Sequence, residues 1–180
     1  LFAIPASALP PCVPTRHAFG HIEVDGQRIP LAIVSGDQSA ALFAYGAPHA
    51  NSAYLNMGTG AFVQRTSGDY PGHQPRLLTG IVLRDGDEKT YVLEGTVNGA
   101  GAALQWIEED LGLEELEQQL PAWLARTDVE PPLFLNGISG LGAPYWAADF
   151  ESRFSAGAEP WQMAVAVAEM TLDPVNGIVY

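Results

Sequence analysis

Hydrophobic and polar positions follow two rhythms along the chain, and the switches between them mark the elements. Residues His21 to Val24 alternate before a turn at Asp25 and Gly26, and residues 29–34 form the short apolar run expected of a buried strand. That run ends in Ser35-Gly36-Asp37-Gln38. Ala40, Ala41, Leu42, Ala44 and Tyr45 then favour a helix that Gly46 and Pro48 stop, which puts Asp37 at or near a helix N-terminus.

Residues 53–56 and 61–66 are strand-like and flank Met57-Gly58-Thr59-Gly60, the pattern of a hairpin with a glycine-bearing turn. Residues 77–84 and 90–94 repeat the pattern around Asp85, Gly86 and Asp87. Four strands in succession predict an antiparallel or mixed sheet. The period then changes. Leu104, Ile107 and Leu111 share one face of a helix over residues 98–112, and Leu116, Leu120, Trp123 and Leu124 stripe a second over 114–125. Pro131 and Pro132 close that section. Residues 133–135 read as another buried strand, a glycine-rich loop runs from Asn136 to Pro144, and residues 161–172 form a third helix interrupted by Pro174. Ahead of all this, Pro5, Pro10, Pro11 and Pro14 keep the first fourteen residues extended. Strands, then helices, then strand and helix predict an α/β or α+β arrangement.

Composition narrows the function. Eight Lys and Arg against 21 Asp and Glu leave a net charge of −13, and the few cations are scattered singly, which argues against a nucleic-acid partner. The single cysteine, Cys12, forms no internal disulfide, and no Cys/His cluster has zinc spacing, so no metal ligands are assigned. No apolar run approaches the roughly 18–20 residues that cross a bilayer, so no membrane partner is expected and a cytoplasmic location is the expectation. The chain opens at Leu1 and stops within an apolar stretch at Tyr180, which reads as a fragment of a longer protein. The histidines at 17, 21, 49 and 73 read as surface residues. Ser139 lacks the spacing of a nucleophile elbow, and the carboxylates at 108–110 and 114–117 read as a solvated face.

Three features could carry chemistry. Asp37 follows an apolar strand at a tight turn, where it serves either as a helix cap or as a general base. Gly58, Thr59 and Gly60 either make a tight turn or present amides and a hydroxyl to phosphate oxygens. Gly95, Gly99 and Gly101 either let a helix pack closely or leave a helix N-terminus open to an anion. Neither a Walker-type loop nor a dinucleotide fingerprint is present.

Taken in order, four segments resemble the FGGY carbohydrate kinase family, its glycerol kinase branch most of all. They are Ser35-Gly36-Asp37-Gln38-Ser39-Ala40-Ala41-Leu42-Phe43, Asn56-Met57-Gly58-Thr59-Gly60-Ala61-Phe62, residues 93–106 from Leu93-Glu94-Gly95 to Leu104-Gln105-Trp106, and Gly140-Leu141-Gly142-Ala143-Pro144-Tyr145-Trp146. The resemblance covers about residues 9–172. It implies an actin-like, ribonuclease-H-like ATPase fold, with residues 1–50 ending a first, substrate-binding lobe and residues 51–180 beginning a second, nucleotide-binding one. The family's N-terminal phosphate loop and late adenine-binding Gly-Gly segment are not found, so the chain by itself is expected to be inactive.

The resemblance further implies ATP with Mg²⁺ as cofactors and a polyol or sugar substrate. Asp37 matches the catalytic aspartate, Gln38 a substrate-holding neighbour, and Phe62 the aromatic against the carbon side of the polyol. Gly58, Thr59 and Gly60 match a phosphate loop, and Gly101 and Gln105 further nucleotide contacts. A homo-oligomer is expected from the family. The alternative is a binding or regulatory domain of the same fold that does not turn over.

Overall fold

The computed structural model describes residues 3–50, 52–126 and 128–172; Leu1, Phe2 and the predicted break at Pro174 lie outside them. The proline-rich opening is extended apart from one 3-10 turn at Ala6–Ala8. Strands β1 (His21–Val24) and β2 (Gln27–Pro30) pair antiparallel across Asp25 and Gly26, whose φ values of 51° and 75° give the left-handed turn that matches strand twist. The apolar run at 29–34 departs from expectation. Its strand stops at Pro30, which has no N–H to donate, and Ile29, Ile33 and Val34 are all exposed rather than buried.

Helix α1 (Asp37–Ala41) is shorter than its alanines predict. Beyond it the chain continues in i→i−3 turns, with Phe43 donating to Ala40 and Gly46 to Phe43, and Gly46 adopts a φ of 103° that ends the segment.

Strands β3 (Ala53–Met57), β4 (Ala61–Gly68), β5 (Leu78–Asp85) and β6 (Glu88–Val97) form one antiparallel sheet in the order β3-β4-β6-β5. Residues directly opposite in such a sheet share a face, and faces alternate along each strand. Tyr54, Gln64 and Glu94 therefore stand abreast, with Phe62 opposite Asn56 and Thr96, and Thr66 opposite Val92, all on one face. Leu42 covers that face. It is 3% exposed and packs with Val82, Val92, Phe43 and Tyr54, which seats α1 and its turns on the same side as Phe62.

The second core is helical. Helices α2 (Gly101–Leu111), α3 (Leu116–Leu124) and α4 (Pro160–Leu172) pack through Ala103, Ile107, Leu116, Ala164, Ala166 and Val167. Alanines at the contact let α2 and α4 approach closely, so Ile107 and Val167 become fully buried, each contributing about 1.5–3 kcal/mol of apolar transfer energy. Strand β7 (Phe134–Leu135) pairs with β8 (Arg153–Phe154), and Trp106 stacks on Phe134 at 5.7 Å. Two residues are too few to show a period, so β8 left no trace in the hydrophobic pattern. Gly112 ends α2 at a φ of 59°. Among the carboxylates read as a solvated face, Glu108 is half-buried and accepts from the Leu116 amide at 3.3 Å, helping to start α3.

Candidate active site

Gly58, Thr59 and Gly60 form the loop between β3 and β4, and it is fastened to the start of α2. The amides of Ala100 and Ala102 donate to the Thr59 carbonyl at 2.9 and 3.1 Å, and the Gly101 amide donates to the Gly58 carbonyl at 2.9 Å. These are the donors that a helix leaves unpaired at its N-terminus. With those three amides taken by the loop, close packing is the alternative that the geometry favours for Gly99 and Gly101. A β-carbon on Gly101 would lie 2.6 Å from the Gly58 oxygen, and one on Gly99 would lie 2.6 Å from the Ile138 oxygen.

The loop keeps its own donors for something else. Among the described residues, no protein acceptor takes the amides of Thr59 or Gly60 or the Thr59 hydroxyl, while the Gly58 amide closes the turn on the Gly60 carbonyl at 2.8 Å. Gly60 is required by packing, because its β-carbon would sit 2.9 Å from the Val97 oxygen. Gly58 is different. It has no left-handed φ, and nothing lies within 4 Å of where its β-carbon would be, so neither the turn nor the packing demands glycine there. Gln105 sits one turn along α2 from Gly101. Its side chain is exposed and donates to Glu109 Oε1 at 3.0 Å.

Asp37 is the first residue of α1, and the cap position belongs to Gly36. Among the described residues its Oδ1 accepts only from the adjacent Gln38 amide at 2.8 Å, and the side chain is exposed, so the capping role does not describe it. Gln38 is half-buried, with its Oε1 enclosed and, among the described residues, without a partner. Phe62 is half-buried on the sheet face that α1 and Leu42 cover. The fold thus gathers Gly58, Thr59, Gly60 and Gly101 into one contact and places Asp37, Gln38 and Phe62 on one side of the sheet. No hydrogen bond links the two groups among the described residues.

One polar pair went unread in the sequence. Gln64, 4% exposed, donates from Nε2 to Glu94 Oε2 at 2.6 Å across the strand register, on the Phe62 face. Phe62, Gln64 and Thr66 alternate with other residues along one strand, and two polar groups on an inward face were the available signal. Among the described residues no cluster of three His, Cys, Asp or Glu side chains could hold a metal ion, and no helix is long and apolar enough to cross a membrane. All four histidines are exposed.

Comparisons with known proteins agree on one family. The profile of the FGGY family of carbohydrate kinases, C-terminal domain, matches residues 53–173. A glycerol kinase from Geobacter sp. (strain M21) is 41% identical over 189 aligned positions, covering 99% of this chain and 38% of that protein. Glycerol kinase 2 of Clostridium tetani is 35% identical over 81% of this chain and 30% of its own length. The chain therefore spans well under half the length of the curated relatives that it matches. Among solved structures, the Plasmodium falciparum glycerol kinase with ADP superposes with a TM-score of 0.75 at 21% identity, covering 92% of this chain and 35% of that one. A xylulose kinase from Rhodospirillum rubrum superposes at 0.69, with 21% identity over 97% of this chain and 39% of its own. These likenesses show the shared fold, that of the sugar kinases with an actin-like ATPase architecture. The ordered motifs, the hairpin loop fastened to α2 and the profile match over residues 53–173 converge: this chain belongs to the FGGY family of carbohydrate kinases.

Proposed function

We propose that the protein to which this chain belongs is an ATP-dependent polyol or sugar kinase, transferring the γ-phosphoryl group to a primary hydroxyl. The observation that carries this reading is the Gly58–Gly60 loop. The Gly58 and Thr59 carbonyls are taken up by the start of α2, the Thr59 and Gly60 amides and the Thr59 hydroxyl have no protein acceptor among the described residues, and Gly58 leaves open space that the fold itself does not need. Such an arrangement suits phosphate oxygens, because fixed backbone dipoles stabilise an anion without reorganising. In a chain of net charge −13, backbone donors are the chemistry available for that task.

Asp37 is the general base in this reading. Its exposed carboxylate has an oxygen free to take the proton of the attacking hydroxyl, and the Gln38 amide holds the other oxygen in place. Gln38 contributes an unpartnered side-chain oxygen that can accept from a second hydroxyl, and Phe62 offers an apolar surface to the carbon side of the polyol. Gly101 holds the loop in place, and Gln105 is the nearest side-chain amide on α2 for the nucleotide. The bound nucleotide brings the phosphoryl group, with Mg²⁺ to neutralise the charge that develops in transfer. A division at residue 50 between a substrate lobe and a nucleotide lobe, a cytoplasmic location and a homo-oligomeric assembly belong to the same proposal.

The test is ADP release by the full-length protein with Mg-ATP across glycerol, other polyols, pentuloses and gluconate, with Asp37→Asn alongside. Turnover on one substrate that falls by about 10²–10⁴ in the variant, the usual contribution of a general base, is the expected result. Nucleotide binding without turnover on any of them would instead favour a regulatory domain.

A further inference from the structure

The peptide group joining Gly99 to Ala100 is held at both ends. Its N–H donates to the Thr59 carbonyl at 2.9 Å, and its C=O accepts from Asn136 Nδ2 at 2.6 Å. Asn136 stands half-buried where β7 runs into the glycine-rich loop, and its own orientation is set. Oδ1 accepts from the Ile138 amide at 3.0 Å, and Nδ2 also lies 3.6 Å from Met170 Sδ. Turning the amide over would set oxygen against the Gly99 carbonyl and NH₂ against the Ile138 N–H, so the bonds leave one arrangement.

The surroundings are tight. A β-carbon on Gly99 would meet the Ile138 oxygen at 2.6 Å, and one on Gly142 would overlap the Thr96 carbonyl. Asn98 Nδ2 donates to the Ser139 carbonyl at 3.0 Å, and the Ala143 amide donates to Thr96 at 2.8 Å. The β6–α2 connection is thus clasped between the Gly58–Gly60 loop on one side and residues 136–143 on the other. Glycines there serve approach rather than chemistry, which explains a motif that the reaction does not use.

We propose that Asn136 is a positioning residue for the phosphate loop, acting through the Gly99–Ala100 peptide. The proposal rests on the kinase reading above. Two hydrogen bonds in series through one peptide polarise each other, and losing the Asn136 donor frees that peptide to rotate. The Thr59 carbonyl then loses a fixed partner, and the Thr59 amide and hydroxyl lose their aim. The polyol side, on the sheet face under Leu42, shares none of these bonds.

The experiment compares full-length wild type, Asn136→Asp and Asn98→Ala for equilibrium binding of Mg-ADP, for KM of ATP and of the substrate that wild type turns over, and for thermal melting. Asn136→Asp keeps the shape and replaces the donor with an oxygen facing the Gly99 carbonyl. It should weaken Mg-ADP and raise the ATP KM by about tenfold, the loss of one well-placed donor, with the polyol KM unchanged. Asn98→Ala, which removes a more exposed bond of the same clasp, should weaken Mg-ADP by about threefold. Binding within twofold of wild type in folded Asn136→Asp, or an equal rise in both KM values, would overturn the proposal. Should Asn136→Asp not fold, wild-type binding by Asn98→Ala would overturn it instead. Failure of wild type to bind Mg-ADP would sink the kinase reading, a result distinct from either.

Discussion

The Gly101 amide donates to the Gly58 carbonyl at 2.9 Å, and a β-carbon on Gly101 would sit 2.6 Å from that same oxygen. One glycine lets a helix N-terminus reach a loop, and the other leaves the outer side of that loop open. Their substitution by alanine should therefore have opposite profiles.

Gly101→Ala must push the loop off the helix, because the neighbour is backbone and cannot give way cheaply. Overpacking of this kind costs about 1–3 kcal/mol. The expected outcome in the full-length protein is a lowered urea midpoint together with weakened nucleotide binding.

Gly58→Ala meets nothing in the protein and has no left-handed φ to strain. Its urea midpoint should stay at or slightly above that of wild type, since alanine restricts the unfolded chain more than glycine does. Affinity for Mg-ADP should nevertheless fall by about tenfold or more, as a close approach of ligand to backbone is blocked. Unchanged affinity would show that the open face of the loop is not a phosphate site.

Phe62 stands on the α1 side of the sheet, and its side chain takes no part in the hydrogen bonds of the clasp around Gly99. Phe62→Ala should raise the KM for the polyol by about tenfold, in line with the loss of a partly buried aromatic contact, while leaving the KM for ATP close to wild type. Steady-state kinetics with each substrate varied in turn checks the split.

Ile107 is fully buried between α2 and α4. Ile107→Ala leaves a cavity that two packed helices can close only in part, and the expected cost is about 2–5 kcal/mol in urea unfolding. A loss below about 1 kcal/mol would mean that the helical core repacks.

Arg126 pairs with Asp128 at 3.1 Å and lies over the Trp161 ring at 3.8 Å. The Arg126 hydrogen bond holds the Asp128 carboxyl below its ordinary value. A lowered folded-state value means that this group adds stability above the ordinary carboxylate range and loses it as pH falls through the lowered value. The pair is solvated, so the pH-dependent difference between wild type and Asp128→Asn melting curves should be small and should shrink further in salt.

The strands and helices were legible wherever the period was long enough to read. Residues 53–66 announced a hairpin and Leu104, Ile107 and Leu111 a helix, because side-chain spacing follows directly from backbone geometry. Asp37, Thr59 and Phe62 were legible as candidates through their motifs. The run at 29–34 misled because hydrophobicity states a preference for burial, not the presence of a cover. The role of the glycine cluster before α2 was also hidden. A glycine that admits an anion and one that admits a carbonyl look the same until the partner's position is known.

Local chemistry settled the hairpin turns, most of the strands and helices, and which residue types could act on a phosphate or a hydroxyl. Those properties depend on neighbours a few positions apart. Tertiary structure alone decided that the α2 amides close on Gly58 and Thr59, that Gln64 meets Glu94, and that Asn136 reaches the Gly99 carbonyl 37 positions away. Such partners are brought together by strand register and helix packing, which sum many weak contacts over the whole chain and leave no mark on any short stretch of it.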